Sequence, residues 1–146
     1  MKKFVGVFTI IASLVLISCS GNEGGVVEIG ERMFATQVIH IYQNFDDYLG
    51  RTISLEGAFA ELDFEESPDN IIRYNLVIRF LDDCCGAGGM IGFEVKWPQD
   101  SVHAFPAHNS WVRAAGVLAM SADSTLYLEL SSLTVLDNRG MEIVRL

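Results

Sequence analysis

The spacing of apolar positions changes once along the chain. Phe34, Val38, Ile41 and Phe45 recur at intervals of four, three and four, with Tyr42 beside them. This is one face of a helix that starts near Glu31. Glu31 lies in the first turn, where the helix dipole favours an acid, and Asn44 to Gly50 carries the stop. His40 lies among apolar neighbours on this helix and reads as packed or at the solvent edge, not as a ligand. Val26 to Ile29 ahead of it is a short strand or an extended lead-in.

After Gly50 the period falls to two. Ile53, Leu55, Gly57 and Phe59 alternate with Thr52, Ser54, Glu56 and Ala58. Residues 61–70, with Ser67-Pro68-Asp69-Asn70, read as an acidic turn. Its acids, Glu61, Asp63, Glu65 and Glu66, read as solvated, because their spacing is not that of a calcium loop. The second strand sets Ile72, Tyr74, Leu76, Ile78 and Phe80 against Arg73, Asn75 and Arg79. The third sets Ile91, Phe93, Val95 and Trp97 against Gly92, Glu94 and Lys96, and Pro98 ends it. A polar loop follows over 99–109. The fourth strand is 110–120, with Gly116 as a bend or bulge. The fifth starts at Leu126, Leu128 and Leu130, slips phase at Ser131-Ser132 and resumes at Leu133. Residues 141–146 add a short last strand. One helix followed by five main strands, bent by glycine and bulges, closes most simply into a barrel. The expected fold is mainly β, an OB-like five-stranded small barrel with one N-terminal helix; an open α+β sandwich is the alternative.

The start of the chain adds a destination. Met1-Lys2-Lys3 precedes an apolar run from Phe4 to Ile17, a basic start and short apolar core of the secretory kind. A helix of that length spans about 21 Å, short of the roughly 30 Å hydrocarbon layer. Leu16-Ile17-Ser18-Cys19 resembles the bacterial lipobox. That resemblance implies cleavage before Cys19 and attachment of lipid to its thiol and amine, which would hold the domain firmly on a membrane. Ser20 rather than Asp after the cysteine implies, by the same resemblance, the outer membrane in a Gram-negative cell. Residues 20–25 are a flexible, glycine-rich tether. The expected organisation is a lipoprotein signal peptide at 1–18, a lipidated tether at 19–28 and the OB-like domain at 29–146.

Charge narrows the partners. The chain has 10 basic and 19 acidic residues, a formal charge of −9. Such a surface repels nucleic acid and anionic lipid, and its basic residues form no stripe.

The candidate chemistry is concentrated in Asp82-Asp83-Cys84-Cys85-Gly86-Ala87-Gly88-Gly89. Three readings stand. Cys84 and Cys85 bind a soft metal, Zn²⁺ or Cu(I), with Asp82, Asp83, His103 and His108 as further ligands. Alternatively they form a vicinal disulfide outside the cytoplasm; adjacent Cα atoms stand about 3.8 Å apart, below the roughly 4.4–6.8 Å usual for a disulfide, so the ring is strained. Or they simply pack a tight turn. No Gly-x-Ser-x-Gly elbow, phosphate loop or His-Glu-x-x-His motif occurs, and no catalytic residue is assigned. Trp97 and Trp111 read as core or rim aromatics.

Three blocks carry a resemblance. Tyr48-Leu49-Gly50-Arg51-Thr52-Ile53, running on to Gly57, is similar to a Tyr-x-Gly-Lys-x-Ile-x-x-x-Gly strand. Cys84-Cys85 with its small-residue turn, and Asn109-Ser110-Trp111-Val112-Arg113-Ala114-Ala115-Gly116, follow in order. Together they resemble the uncharacterised bacterial putative permease-subunit proteins, in which an OB-like domain carries a double-cysteine loop. This chain departs from them in its lipoprotein start and in Cys-Cys-Gly-Ala-Gly-Gly, where the family often has Cys-Cys-Ala-Ala-Asp-Ala. The resemblance implies a surface-attached accessory domain. The expected function is a lipid-anchored, non-enzymatic binding or accessory domain of the bacterial envelope, on its periplasmic or extracytoplasmic face, for a permease, another envelope protein or a soft metal. The rival is a thiol-redox or metal-dependent envelope enzyme working through the Cys-Cys loop.

Overall fold

A computed structural model of the chain describes residues 25–67, 70–82 and 88–145. The signal segment 1–18, Cys19, the first part of the tether, Asp83, Cys84 and Cys85 lie outside the described residues.

A short strand, β1 (Val27–Glu28), leads through a 3-10 turn at Glu31–Met33 into α1 (Phe34–Gln43) and a second 3-10 turn at Phe45–Asp47. The strands follow as β2 (Thr52–Ser67), β3 (Asn70–Leu81), β4 (Met90–Lys96), β5 (Trp111–Met120), β6 (Leu126–Val135) and β7 (Ile143–Val144). At 16 residues, β2 is long enough to hold two partners in succession. It pairs antiparallel with β5 from Thr52 to Ala58 and with β3 from Ala58 to Ser67. β3 pairs antiparallel with β4, β4 parallel with β6, and β6 antiparallel with β5, which returns the ring to β2. The result is the closed five-stranded barrel of OB topology that the alternation predicts, its helix placed ahead of the first barrel strand.

The helix face is the expected one. Phe34, Val38 and Ile41 are buried, and Phe45 packs partly against the same core. They meet Ile53, Leu55 and Phe59 of β2, Val77 of β3, Phe93 and Val95 of β4, and Leu118 and Leu128 of β5 and β6. His40 is exposed, with its Nδ1 3.1 Å from the Tyr48 hydroxyl. Among the described residues no helix is long and apolar enough to cross a membrane.

The phase slip at Ser131 and the glycine at 116 are two halves of one feature. Ala115 pairs with Ser132 while Gly116 pairs with Leu130, so Ser131 is the extra residue of a bulge, and its hydroxyl donates to the Ala115 carbonyl at 3.0 Å. A Cβ on Gly116 would stand 2.5 Å from the Glu129 carbonyl oxygen. Only glycine permits this approach at a barrel corner.

One strand reading changes and another gains its direction. Residues 61–67 are strand, not turn: Leu62 pairs with Tyr74 and Phe64 with Ile72, extending the hairpin beyond the barrel. Glu61, Asp63 and Glu65 alternate with these apolar residues, Glu66 falls at the register shift before Ser67, and Arg73 donates two hydrogen bonds to Asp63 across the strands. The period of two survives the high charge because the acids have solvent and Arg73 on their side. In β3, Val77 and Arg79 enter the interior, whereas Ile72, Tyr74, Leu76, Ile78 and Phe80 lie on the outer face; the registers Phe59–Val77 and Val77–Phe93 fix this parity.

Candidate functional site

Of the residues singled out from sequence as metal ligands, the described ones are Asp82, His103 and His108, and they do not share one place. Asp82 directly follows β3; its backbone N–H donates to the Val144 carbonyl at 2.9 Å and its Oδ2 accepts from Arg145 Nε at 2.8 Å. His103 lies against the Trp97 ring, centroids 4.5 Å apart. His108 Nδ1 accepts the Glu61 backbone N–H at 3.1 Å. Both histidines belong to the loop after β4, and Asp82 to the connection before it. The seven residues of β4 separate these two ends by roughly 20 Å at about 3.3 Å per residue. Among the described residues, no group of three or more His, Cys, Asp or Glu side chains is arranged to hold a metal ion. The cysteine pair itself lies outside those residues.

Besides a concavity of about 630 Å³ lined by Arg32, Asp82, Met141, Ile143 and Arg145, the described residues build one on each side of β3. The first is a polar cleft of about 650 Å³ where β2 and β3 diverge beyond the Ala58–Ile78 pair. Arg79 fills the divergence. It is 1% exposed, its Nε donates to the Glu56 carbonyl at 2.8 Å, and its guanidinium lies over the rings of Phe34 and Trp111 at 4.5 and 5.2 Å. Burial pulls its pKa below the ordinary arginine value, and the Glu31 and Glu56 carboxylates oppose that fall. Arg79 Nη1 is buried without a hydrogen-bond partner among the described residues, whereas several neighbouring charges are met within the chain. Arg113 Nε donates to Glu56 at 2.9 Å. Arg139 donates to the Asn109 carbonyl at 2.9 Å and to Glu142 at 3.0 Å. The Glu31 carboxylate accepts the Met141 backbone N–H, tying the C-terminal segment to the start of the helix.

The second is an apolar groove on the outer face of β3 and β4. One part, about 600 Å³, is lined by Leu62, Phe64, Tyr74, Leu76, Met90 and Thr125. A smaller part of about 230 Å³ continues past Tyr42, Ile78 and Glu94. Phe64 is 56% exposed and Met90 50%, while Phe64 and Tyr74 meet edge to face, centroids 5.5 Å apart. The groove runs between the extended β2–β3 hairpin and the turn that joins β5 to β6. In barrels of this topology, the second and third barrel strands and these two flanking connections form the face that takes ligands. Here those strands are β3 and β4.

A family model described as the DUF1980 C-terminal domain matches residues 18–143. The chain belongs to that family. The family is uncharacterised, and no curated protein matches the chain. The DUF1980 match covers the helix, the whole barrel and both concavities, so both surfaces belong to the family domain and neither to an appended segment.

Sequence reading passed over the residues that shape these surfaces. Arg79 was visible only as one polar member of an alternating strand, and its burial follows from where β2 leaves β3. Glu94 was visible only as a member of the face opposite Phe93 and Val95, and it is 7% exposed. A usable signal existed in β3: an outward face as apolar as Ile72-Tyr74-Leu76-Ile78-Phe80 is unusual on a small barrel and marks a surface with something to cover it.

Proposed function

We propose that the chain is a lipid-anchored, non-catalytic binding module of the bacterial envelope, and that it docks a partner polypeptide on the outer face of β3 and β4. The observation that carries this is the apolar groove lined by Leu62, Phe64, Tyr74, Leu76 and Met90, at the ligand position of the topology. Exposed apolar surface of this kind costs solubility and is characteristic of interaction sites. The groove has no cation stripe for phosphates, and the formal charge of −9 opposes nucleic acid. Peptide is the class of partner that fits: aromatic and aliphatic side chains at the centre, with backbone and polar groups at the rim. Lipid attachment at Cys19, and an accessory role beside a permease, are the finer parts of this proposal. The lipobox resemblance and the three sequence blocks support them.

The test is photo-crosslinking in living cells. A crosslinking amino acid at Tyr74 should trap one envelope membrane protein, the adduct should vanish with Phe64→Ser, and the same probe at Val117, exposed on β5, should trap nothing comparable. Equal trapping from both positions, or an adduct indifferent to Phe64→Ser, would remove the groove from the function.

A further inference from the structure

The outward positions of β4 are Met90, Gly92 and Glu94, and the last of them is an acid set among apolar neighbours. In register it faces Leu76 on β3 and Tyr127 on β6. It lines the narrow end of the groove and is 7% exposed. Its two oxygens differ. Oε1 meets Lys96 Nζ at 3.1 Å, and that ammonium rests over the Tyr127 ring at 4.6 Å. Oε2 is buried and has no hydrogen-bond partner among the described residues. The nearby Tyr42 hydroxyl does not supply one, because it donates to the Gly92 carbonyl at 3.0 Å. Burial and the charge of Glu94 both raise the Tyr42 pKa, which keeps that phenol protonated and in place.

A desolvated carboxylate oxygen without a donor costs folding free energy, and a ligand that brings the donor recovers that cost on binding. Resting on the groove being the docking face, we infer that its occupant is an apolar segment of a partner polypeptide carrying a lysine or arginine, whose N–H donates to Glu94 Oε2. A wholly apolar occupant would seal the orphaned oxygen further from water. An acidic one would bury like charges together. A second copy of this chain brings another formal −9 and repels the first. A long cationic side chain meets both demands, its methylene stem lying on Tyr74, Leu76 and Ile78 while its head reaches the carboxylate.

The experiment uses the full chain in phosphatidylcholine nanodiscs, with empty discs as the control. Fluorescent peptides Gly-Phe-Leu-X-Leu-Phe-Gly, with X lysine or norleucine, are titrated by anisotropy. The lysine peptide should bind roughly tenfold more tightly, as expected for one charge-assisted hydrogen bond. Glu94→Gln should erase that preference without weakening the norleucine peptide, and Glu94→Asp should keep part of it. Tyr74→Ser should weaken both peptides. Equal binding of the two peptides, or a preference that survives Glu94→Gln, overturns the cation inference while sensitivity to Tyr74→Ser keeps the groove. Binding of neither peptide, or indifference to Tyr74→Ser, overturns the groove reading and the inference with it.

Discussion

Strand β3 has contrasting surroundings on its two faces. On one, Arg79 lies between Phe34 and Trp111 at the floor of a cleft rich in charge. On the other, Tyr74, Leu76 and Ile78 line a groove with a single carboxylate at its end. Charge alone would point to the cleft. Most of its charges, however, are engaged, Arg113 with Glu56, Arg139 with Asn109 and Glu142, and Glu31 with the Met141 backbone, while Arg79 keeps one buried nitrogen, Nη1, without a partner among the described residues. Those bonds join the helix, the first barrel strand, β5 and the C-terminal segment across the place where β2 and β3 separate. The groove also has one buried unpartnered atom, Glu94 Oε2, but it differs in the apolar area it turns to solvent, Phe64 and Met90 above all. Apolar area left facing solvent, more than the number of ionisable groups, separates a surface built for binding from one built for folding.

The sharpest way to break this comparison is Arg79→Ala. If the cleft is structural, the substitution removes a large buried side chain, its hydrogen bond to the Glu56 carbonyl and two aromatic contacts. The expected loss is about 3–5 kcal/mol, the range of large-to-small core changes, read by urea unfolding followed by circular dichroism. Arg79→Met keeps much of the packing without a charge and should cost clearly less. A loss below about 1 kcal/mol for Arg79→Ala would mean that the guanidinium is not needed for the fold, and would reopen the cleft as a ligand site.

The groove should respond in the other direction. Glu94→Leu replaces a buried, half-paired carboxylate with an apolar side chain, and Lys96, itself 43% exposed at its side chain, can turn to water. The expected result is a gain of about 1 kcal/mol in unfolding free energy, together with loss of any preference for cationic peptides. A residue that stabilises when removed is one retained for something other than stability. A destabilised Glu94→Leu protein would show instead that the carboxylate is satisfied, and would join this end of the groove to the structural side of the comparison.

The barrel was largely legible in the chain because period-two alternation and the helix spacing are local signals. The bulge was legible too: Gly116 and the slip at Ser131-Ser132 lie on neighbouring strands and report one event. The long hairpin was not, because four acids between Glu61 and Glu66 outweigh Leu62 and Phe64 when only composition is weighed. The direction of β3 was out of reach for a deeper reason. Alternation shows that two faces differ, but only pairing shows which one turns inward, and here the interior takes Val77 together with Arg79. The orphaned Glu94 oxygen follows from the approach of Leu76 and Tyr127 on two other strands, which no spacing within β4 encodes.

The smallest expected effect concerns the hairpin that presents the groove. On its other side, Arg73 Nε and Nη2 donate to the two Asp63 oxygens at 2.7 and 3.0 Å. These bonds hold the Asp63 carboxyl below its ordinary value. A folded pKa lower than the unfolded one gives a stabilising contribution that is complete above the unfolded value, near ~3.9. It is lost as pH falls through the folded value. Both side chains are well exposed, so the pair fixes register more than it adds stability. The side-chain carboxyl of Asp63, followed by NMR, should titrate below the ordinary aspartate range and move up toward it in Arg73→Gln. Below the midpoint, amide exchange at Leu62 and Phe64 should quicken while that of Phe59, inside the barrel, stays slow. An Asp63 midpoint unmoved by Arg73→Gln would dissolve the pair. The groove's outer wall would then be held by its own contacts, Phe64 against Tyr74, and acid would leave both faces of β3 alike.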